Sequence, residues 1–451
     1  MSIGSNVSRR DFLVGTGLMA TAAIAASAEQ ALAIEKSATL ISDKQSFGDK
    51  LSFTAGLPNL QAPGETSIGI VWKVPTLSKG AVEYADNPEL HNSKIALPGS
   101  LGLVPIDSDV LSVRIKGLKS ATKYYYRTIT EPFVEYQNIY KAKLGAPVFS
   151  PVYSFTTLGK ELSGHFCVMN DTHAHWKSFR KIVGKMKELH PEVVVWNGDA
   201  TNSTQEKRVA VEIFLDPPIA ERDYSATLPV LFVPGNHDFR GSWACKLDEV
   251  VLPRHPDERS GDEWDLKWNF AVRCGDAALI GMDTGEDKPD AHPKWFGLAN
   301  FSAYRRAQAA WLEKALSRPE IADAKFKVLF CHIPLLPNNE AASLPPWDGT
   351  TVDPVGFAYW SRECRDLWAP LIEKAGIQLV VTAHMHEFGF FPATPKRPWA
   401  MVTGGGPEID CKKEHMVPTV IEGQMEKDGL RLKVHDVENN RIIFDSIIKS
   451  C

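Results

Sequence analysis

The feature that most constrains the fold of this chain is a series of polar clusters, each directly following an apolar run. After Gly159, apolar runs such as "HFCVM", "EVVVWN", "FKVLFCH" and "IQLVVTAH" alternate with segments of helical period, including "WKSFRKIVGKMKELH" and "SAYRRAQAAWLEKALS". We expect Ser302 to cap the second of these helices. Continuous apolar strands are typical of a sheet covered on both faces. The sequence therefore predicts an α/β domain over residues 159–451.

The polar clusters come where the predicted strands end, which is the usual position of a site in α/β folds. Ordinary turn chemistry or a hydrogen-bonded structural histidine explains any one of them alone. Five clusters in this order are hard to explain that way. In chain order they are Asp171-Thr172-His173, Gly198-Asp199-Ala200-Thr201-Asn202, Gly235-Asn236-His237-Asp238, His332, and His384-Met385-His386.

The spacing within two clusters points to metal binding. Side chains two residues apart on an extended chain point to the same side, so Asp171 with His173, and His384 with His386, can each turn toward one centre. The pooled donors are carboxylates, imidazoles and an amide, without a thiolate, and this set suits Mn, Fe or Zn. A carboxylate placed between two cations would be their natural bridge. We therefore expect a metal centre at the strand ends.

Residues 34–158 have a different sequence pattern. Short segments alternate between apolar and polar residues, and no helical period is present. The run "TSIGIVWKV" places Trp72 and its alternate neighbours on one face. Further on, Leu118, Thr122, Tyr124 and Tyr126 follow the spacing L-x-x-x-T-x-Y-x-Y. This half resembles a fibronectin type III β-sandwich, with Trp72 as its buried core tryptophan and Ser120 in place of the usual corner proline.

The first 33 residues resemble a twin-arginine secretion signal. Ser8-Arg9-Arg10-Asp11-Phe12-Leu13 precedes a weakly apolar stretch that ends at an A-x-A site, Ala31-Leu32-Ala33. The alternative is a membrane anchor, which Gly, Thr and Ala within the stretch disfavour. We expect residues 1–33 to be removed, the mature protein to be periplasmic or secreted, and no stable membrane insertion after processing.

The net charge and the cysteine spacing limit which partners and which structural sites we expect. The formal net charge is -5 and no run of Lys and Arg forms a stripe, so we expect no nucleic-acid partner. The 7 cysteines show no C-x-x-C spacing, which argues against a zinc knot or a dense disulfide frame. A small substrate remains the expected partner.

Taken together, the clusters resemble the calcineurin-like metallophosphoesterase superfamily, whose pattern runs D-x-H, G-D, G-N-H-D/E, H and G-H-x-H. The domain order, sandwich first, is similar to that of purple acid phosphatases and their bacterial relatives. The resemblance implies two domains. The first is an N-terminal all-β fibronectin-like sandwich, and the second is a C-terminal α/β metallophosphoesterase sandwich with mixed sheets flanked by helices.

The resemblance also implies two metal ions, divalent or trivalent, with Fe, Mn or Zn as the candidates. The ligands of the first would be Asp171, His173 and His386, and Asp199 would bridge to the second. The other ligands of the second would be Asn236, His332 and His384. A bridging hydroxide would then attack phosphorus in line.

The remaining site residues belong to the substrate side. His237 is expected to face the leaving group as a general acid, while Gly235 allows the sharp turn before it. Arg240, Asn202 and His175 are candidates for substrate binding, although a surface or helix-start role for Arg240 is equally open.

Two positions depart from the family pattern. Ala383 replaces the glycine of the last motif, which is tolerable if its φ stays negative. Asn202 stands where purple acid phosphatases have a metal-binding tyrosine, so we expect no phenolate ligand and no purple colour.

The expected function is hydrolysis of a small phosphate ester by an exported phosphatase. A phosphodiesterase on the same scaffold is the alternative within enzymes, because the metal ligands are shared and the loops decide. A non-catalytic envelope-binding protein is the alternative from another class. It is disfavoured because such a protein would be expected to lose ligands, and none is missing here.

Overall fold

The structure, a computed structural model, describes residues 54–99, 102–254, 264–336, 358–408 and 416–449. The predicted signal at residues 1–33 lies outside the described residues. The first part of the described chain is all strand: β1 Asn59–Gln61, β2 Ser67–Lys73, β3 Ser78–Ala85, β4 Lys94–Ala96, β5 Ile106–Asp107, β6 Val110–Lys116, β7 Lys123–Asn138, β8 Lys141–Leu144, β9 Val148–Phe149 and β10 Tyr153–Thr156.

From His165 onward, strands alternate with helices. The strands are β11 His165–Met169, β12 Val193–Asn197, β13 Val230–Val233, β14 Phe270–Cys274, β15 Ala277–Gly281, β16 Phe326–Phe330, β17 Leu379–Thr382, β18 Gly389–Phe391, β19 Ala400–Thr403, β20 Thr419–Glu426, β21 Gly429–Asp436 and β22 Arg441–Lys449. The helices are α1 Trp176–Leu189, α2 Lys207–Phe214, α3 Phe301–Leu316, α4 Pro319–Ala322 and α5 Ala358–Lys374.

Two mixed sheets form the C-terminal part. One has the order β22-β21-β20-β11-β12-β13-β1-β2-β6, and the other has the order β14-β15-β16-β17-β19-β18. Their facing surfaces share one apolar core, in which Phe166 of β11 meets Phe330 of β16 edge-on at 5.7 Å between ring centroids. The α/β fold with mixed sheets that the sequence predicts for this part is confirmed.

Helices cover the outer face of each sheet. The apolar side of α1, including Phe179 and Ile182, packs with α2 on the nine-stranded sheet. On the other side, Trp311 of α3 and Trp368 of α5 pack on the six-stranded sheet. The central strands are therefore buried on both faces, which explains their continuous apolar sequences. Within the described part of the chain, no helix combines the length and apolar character needed to cross a bilayer.

Strands β11, β12 and β13 run parallel to one another, as do β15, β16, β17 and β19. In open α/β sheets, sites form beyond the carboxyl ends of such strands. Each polar cluster of the sequence directly follows one of these strands. The topology thus gathers the clusters at one edge of the molecule.

The N-terminal strands join this architecture directly. Strand β1 lies parallel to β13, with Gln61 opposite Val230, so β1, β2 and β6 extend the nine-stranded sheet. A second sheet, ordered β10-β7-β3-β4, packs over them around Trp72 and Tyr126, both fully buried. Two all-β layers therefore exist here, and one of them continues the sheet of the C-terminal part.

Two hydrogen bonds, one buried and one partly buried, fix this junction. The Tyr126 hydroxyl donates to the carbonyl oxygen of Ala226 at 2.9 Å, and the backbone N–H of Leu252 donates to Gln61 Oε1 at 2.7 Å. Because these groups are shielded from water, leaving either of them without a partner would lower the stability of the fold. The N-terminal layers are thus held to the larger sheet by hydrogen bonds as well as by strand pairing.

The predicted cap of helix α3 is wrong. The helix begins at Phe301 with Asn300 at the N-cap position, and Ser302 lies inside its first turn. The carboxylate of Asp290 instead accepts hydrogen bonds from the backbone N–H groups of Phe301 at 2.7 Å and Ser302 at 3.0 Å. A carboxylate from an earlier loop also suits the positive end of the helix dipole. Sequence spacing around Ser302 could not reveal this acceptor.

The junction contact gives a testable prediction. Tyr126→Phe removes the hydroxyl and leaves the buried Ala226 carbonyl unpaired, so we expect the free energy of unfolding to fall by about 1–3 kcal/mol. Chemical denaturation at neutral pH measures this change. The matched control is Tyr125→Phe, since Tyr125 is the partly exposed neighbour on the same strand, and it should change stability by less than about 0.5 kcal/mol. Equal losses in the two variants would contradict a stabilising role for this hydrogen bond.

Candidate metal centre

The five predicted clusters meet at one place. Asp171 and His173 follow β11, Asp199 follows β12, and Asn236 follows β13. From the facing sheet, His332 follows β16, and His384 and His386 follow β17. Their ligand atoms form two groups, Asp171-His173-Asp199-His386 and Asp199-His332-His384, each spanning no more than 4.8 Å. Asp199 belongs to both groups.

The first group is tightly spaced. His173 Nε2 lies 3.1 Å from His386 Nε2 and 3.4 Å from Asp199 Oδ2. His386 Nε2 lies 3.5 Å from Asp171 Oδ1. Around an ion bound at about 2.1 Å, neighbouring donor atoms are about 3.0–3.4 Å apart. These side chains are therefore placed to bind one cation after a small adjustment, because His173 Nε2 and Asp171 Oδ1 are 4.0 Å apart.

The second group has the same character. His332 Nε2 lies 3.3 Å from Asp199 Oδ2, and His384 Nδ1 lies 2.8 Å from Asn236 Oδ1. His332 and Asn236 are almost completely buried, at 0% and 1% exposed. A buried set of nitrogen and oxygen donors at these separations fits a second cation beside the first.

The ring orientations support the same interpretation. An oxygen that can only accept hydrogen bonds faces Nδ1 in two rings, Asn197 O for His332 at 2.9 Å and Asn202 Oδ1 for His173 at 3.1 Å. Each Nδ1 therefore carries a hydrogen, which leaves Nε2 as the nitrogen that faces the centre of the site. On the carboxylate side, Asp171 Oδ1 is buried and accepts no hydrogen bond from the described residues. A cation would satisfy these atoms.

The backbone at the ligands is strained. Positive φ values are found at five non-glycine residues of the two groups: Asp171 (45°), His173 (46°), Asp199 (49°), His384 (71°) and His386 (55°). Left-handed backbone costs free energy in non-glycine residues and is concentrated at functional sites. By contrast, Ala383 is not among the described residues with positive φ, so alanine fits there without strain.

Gly235 is required for a reason that the sequence did not indicate. Its φ of -97° is available to any residue, so the turn itself does not demand glycine. A Cβ atom at Gly235 would lie 2.2 Å from Asp199 Oδ1 and 2.8 Å from His332 Nε2. Glycine therefore lets the backbone pass directly against the shared carboxylate.

Burial and charge polarise the shared carboxylate and its partner. Burial opposes ionisation of Asp199, but the charge of His332 and its hydrogen bond outweigh burial and lower the pKa of Asp199 well below its usual range. Burial works against protonation of His332, yet the Asp199 carboxylate raises the pKa of His332 to about 10. Because a metal ligand must present a lone pair, a cation entering this site would displace the proton from His332.

His237 lies beside the two groups and belongs to neither. Its ring stands edge-on to His173 at 4.7 Å between centroids, and its backbone N–H donates to Asp199 Oδ1 at 2.8 Å. Its Nδ1 faces the carbonyl oxygen of Asn202 at 3.0 Å, and Arg240 Nη1 lies 2.7 Å from its Nε2. Nδ1 is thus engaged by the backbone, and in this arrangement Nε2 is engaged by Arg240.

Arg240 is held in place by an acidic loop that the sequence analysis missed. Its guanidinium donates to both oxygens of Glu286, with Nη2–Oε1 at 2.9 Å and Nε–Oε2 at 3.3 Å, and it lies 3.5 Å from Asp287. Glu286 is fully buried. The signal was present in the sequence, because "MDTGED" is a further polar cluster directly after an apolar strand.

The other two substrate candidates make local contacts. Asn202 donates from Nδ2 to the carbonyl oxygen of His173 at 3.0 Å while its Oδ1 faces the ring, so it orients that ligand. His175 is the N-cap of α1, and its Nδ1 lies 2.9 Å from Ser178 Oγ. Among the described residues, no hydrogen bond joins His175 to either ligand group.

Two further residues that sequence reasoning missed support the first group. Asn170 Nδ2 donates to Asp171 Oδ2 at 2.7 Å, and Glu408 Oε1 accepts from His386 Nδ1 at 2.7 Å. Glu408 follows β19 in "TGGGPE", which is another polar residue near a strand end. Only the tertiary structure shows that it reaches His386.

Residues 164–388 match the family model for calcineurin-like phosphoesterases. Among solved structures, the purple acid phosphatase PPD1 from yellow lupin (Lupinus luteus) seeds has a TM-score of 0.56 at 13% identity, and the alignment covers 88% of this chain and 74% of that chain. The structure of PhoD has a TM-score of 0.58 at 12% identity, with 89% of this chain and 94% of that chain covered.

At such low identity these likenesses show the fold alone. A search of curated protein sequences found no match to the chain. The family match and the convergence of the Asp and His clusters agree with each other. Through residues 164–388 the chain belongs to the calcineurin-like phosphoesterases and is a metal-dependent phosphoric ester hydrolase.

Proposed function

We propose that the protein is an exported phosphatase with a dinuclear metal centre that hydrolyses small phosphate esters. The observation that carries the proposal is the position of Asp199, whose carboxylate is common to two separate groups of potential ligands. One cation would be held by Asp171, His173, Asp199 and His386. The other would be held by Asp199, His332, His384 and Asn236.

Bound metal ions would polarise the phosphoryl group and lower the pKa of a coordinated water. The chain's own contribution begins with fixing the donors. The Nδ1–H groups of His173 and His332 are engaged by Asn202 and Asn197, so their rings cannot turn away. Burial of Asp199 keeps bulk water from competing for its oxygens. Such preorganisation lowers the reorganisation needed during the reaction.

The leaving-group side is assigned to His237 and Arg240. The guanidinium of Arg240 lies against Nε2 of His237, with Nη1 at 2.7 Å. An incoming phosphate oxygen would attract that guanidinium, because charge-assisted bonds from arginine to phosphate are strong. Burial lowers the pKa of His237, so Nε2 would first take up a proton from solvent once the guanidinium has moved, and would then deliver that proton to the departing oxygen. Glu286 binds Nε and Nη2 of the same guanidinium, so Nη1 is the nitrogen left to meet the phosphate.

Two wider features belong to the same proposal. We retain a fibronectin-like sandwich for residues 34–158, supported by the hydroxyl of Tyr124, which accepts from Lys119 N at 3.0 Å as in a tyrosine corner.

We also retain export by the twin-arginine route, supported by Arg9-Arg10 and the A-x-A site. A panel of aryl monoester, aryl diester, nucleotide and phospholipid substrates, each assayed with several metals, tests the substrate class.

The shared carboxylate gives the first functional prediction. Asp199→Asn keeps the shape of the side chain but removes the charge common to both groups. We expect metal content to fall at both positions and activity to fall by more than about a hundredfold. Metal analysis of purified protein and a phosphatase assay measure these effects. Asp276→Asn, at an exposed ion pair with Lys325, is the matched control and should change neither. Full activity in metal-depleted Asp199→Asn protein would disprove the proposal.

The second prediction separates the proton donor from its neighbouring ligand. His237→Ala should slow hydrolysis of an alkyl phosphate by about 10²–10⁴-fold, because a poor leaving group needs a proton. Hydrolysis of a nitrophenyl phosphate should slow far less, and the metal content should be unchanged. Asn236→Ala should lower occupancy of one metal and slow both substrates alike.

The control for this comparison is His175→Ala, which removes a helix-capping histidine and should affect both substrates equally and weakly. Equal losses on both substrates in His237→Ala, or loss of metal from that variant, would show that His237 is a ligand or a structural residue.

The third prediction concerns export. Replacing Arg9 and Arg10 by Lys keeps the charge but removes the arginine pair, so the precursor should stay in the cytoplasm with its signal uncleaved. Fractionation followed by mass determination of the chain measures this. A matched control replaces Lys36 by Arg, three residues beyond Ala33, and should be exported normally. Normal export of the double variant would exclude the twin-arginine route.

A further inference from the structure

Glu408 lies on the side of His386 that faces away from the other ligands. Its Oε1 accepts a hydrogen bond from His386 Nδ1 at 2.7 Å. The opposite nitrogen of the same ring, Nε2, lies 3.1 Å from His173 Nε2 and 3.5 Å from Asp171 Oδ1. The imidazole of His386 therefore connects the ligand group to a carboxylate that is itself outside the group.

The chemistry of this contact differs from that at the neighbouring histidines. His332 Nδ1 meets a backbone carbonyl, and His173 Nδ1 meets an amide oxygen. His386 Nδ1 meets a full negative charge. A carboxylate at the second nitrogen fixes the tautomer, orients the ring and makes the first nitrogen a better donor to a metal. His386 should thus be more strongly supported as a ligand than His332 and His173.

The backbone shows that this placement is built into the fold. A Cβ atom at Gly406 would lie 2.4 Å from Glu408 Oε2 and 2.5 Å from His386 Cβ, so only glycine lets the two side chains meet. The preceding residue, Gly405, is fixed from both sides, because its carbonyl accepts from Asn170 Nδ2 at 2.8 Å and its N–H donates to Thr419 Oγ1 at 2.8 Å. The segment after β19 therefore has little freedom to move Glu408 away.

We propose that Glu408 is a positioning residue that sets the metal affinity of the group formed by Asp171, His173, Asp199 and His386. The proposal rests on the metal centre of the proposed function. It adds an asymmetry between the two positions, because Glu408 supports a ligand of one group and none of the Asp199-His332-His384 group. Loss of Glu408 should therefore weaken one metal and leave the other in place.

The test is a metal titration of full-length, metal-depleted protein with Zn²⁺ against a competing chelator. Wild-type protein should bind two ions per chain. Glu408→Ala should weaken binding at one of them by about 10–100-fold and leave the other unchanged. Glu408→Gln keeps an oxygen for Nδ1–H but lacks the charge, so it should restore part of the loss. No activity measurement is needed.

Glu387→Gln is the matched control. Glu387 is adjacent to His386 in sequence and carries the same charge, but its side chain is exposed. If Glu387→Gln weakens one metal as much as Glu408→Gln does, long-range charge explains the effect and the proposal is wrong. Unchanged metal affinity in Glu408→Ala would also show that the proposal for Glu408 is wrong. In that case, binding of two ions by the wild-type protein would still support the metal centre.

Thermal unfolding of the metal-free proteins separates positioning from general damage. Metal-free Glu408→Ala should unfold at nearly the wild-type temperature, because the partly exposed carboxylate acts on one ring. A large drop, accompanied by weakening of both metals, would assign Glu408 a structural role and contradict the proposal. Wild-type protein that binds no Zn²⁺ would overturn both this inference and the proposed function.

Discussion

The rest of the site depends on one buried carboxylate. Asp199 is 2% exposed, and its Oδ2 lies within 3.3–3.4 Å of imidazole nitrogens from both facing sheets. Its other oxygen accepts the backbone N–H of His237, so the same side chain also fixes the turn that carries the proposed acid. A charge in such a position is stable only when compensated. Cations in the two adjoining groups would provide that compensation.

The fold supplies the rigidity that this arrangement needs. Parallel strands in two facing sheets end at the same edge, and five of the proposed ligands follow them in left-handed backbone conformations. Strain of this kind persists only where the surroundings over-determine the structure. The apolar core between the sheets does so, and the N-terminal layers extend it by pairing β1 with β13. The N-terminal part thus adds to the scaffold on which the site stands.

Strand ends were predictable from sequence, because apolar runs followed by Asp, His and Asn identify them without knowledge of the fold. Contacts between residues that are distant in sequence were not predictable. Neither the extension of the nine-stranded sheet by β1 nor the capping of α3 by Asp290 has a local signal. Glu286 and Glu408 do follow apolar strands, yet their partners, Arg240 and His386, are far away in sequence. Ligands were therefore easier to find than the residues that orient them.

The central claim is that Asp199 is shared by two bound metal ions. Anomalous diffraction from crystals grown with Mn²⁺ or Zn²⁺ measures this directly. The account predicts two peaks, one beside Asp171, His173 and His386 and the other beside Asn236, His332 and His384, with the Asp199 carboxylate in contact with both. A single peak, or two peaks of which one does not touch Asp199, would contradict it.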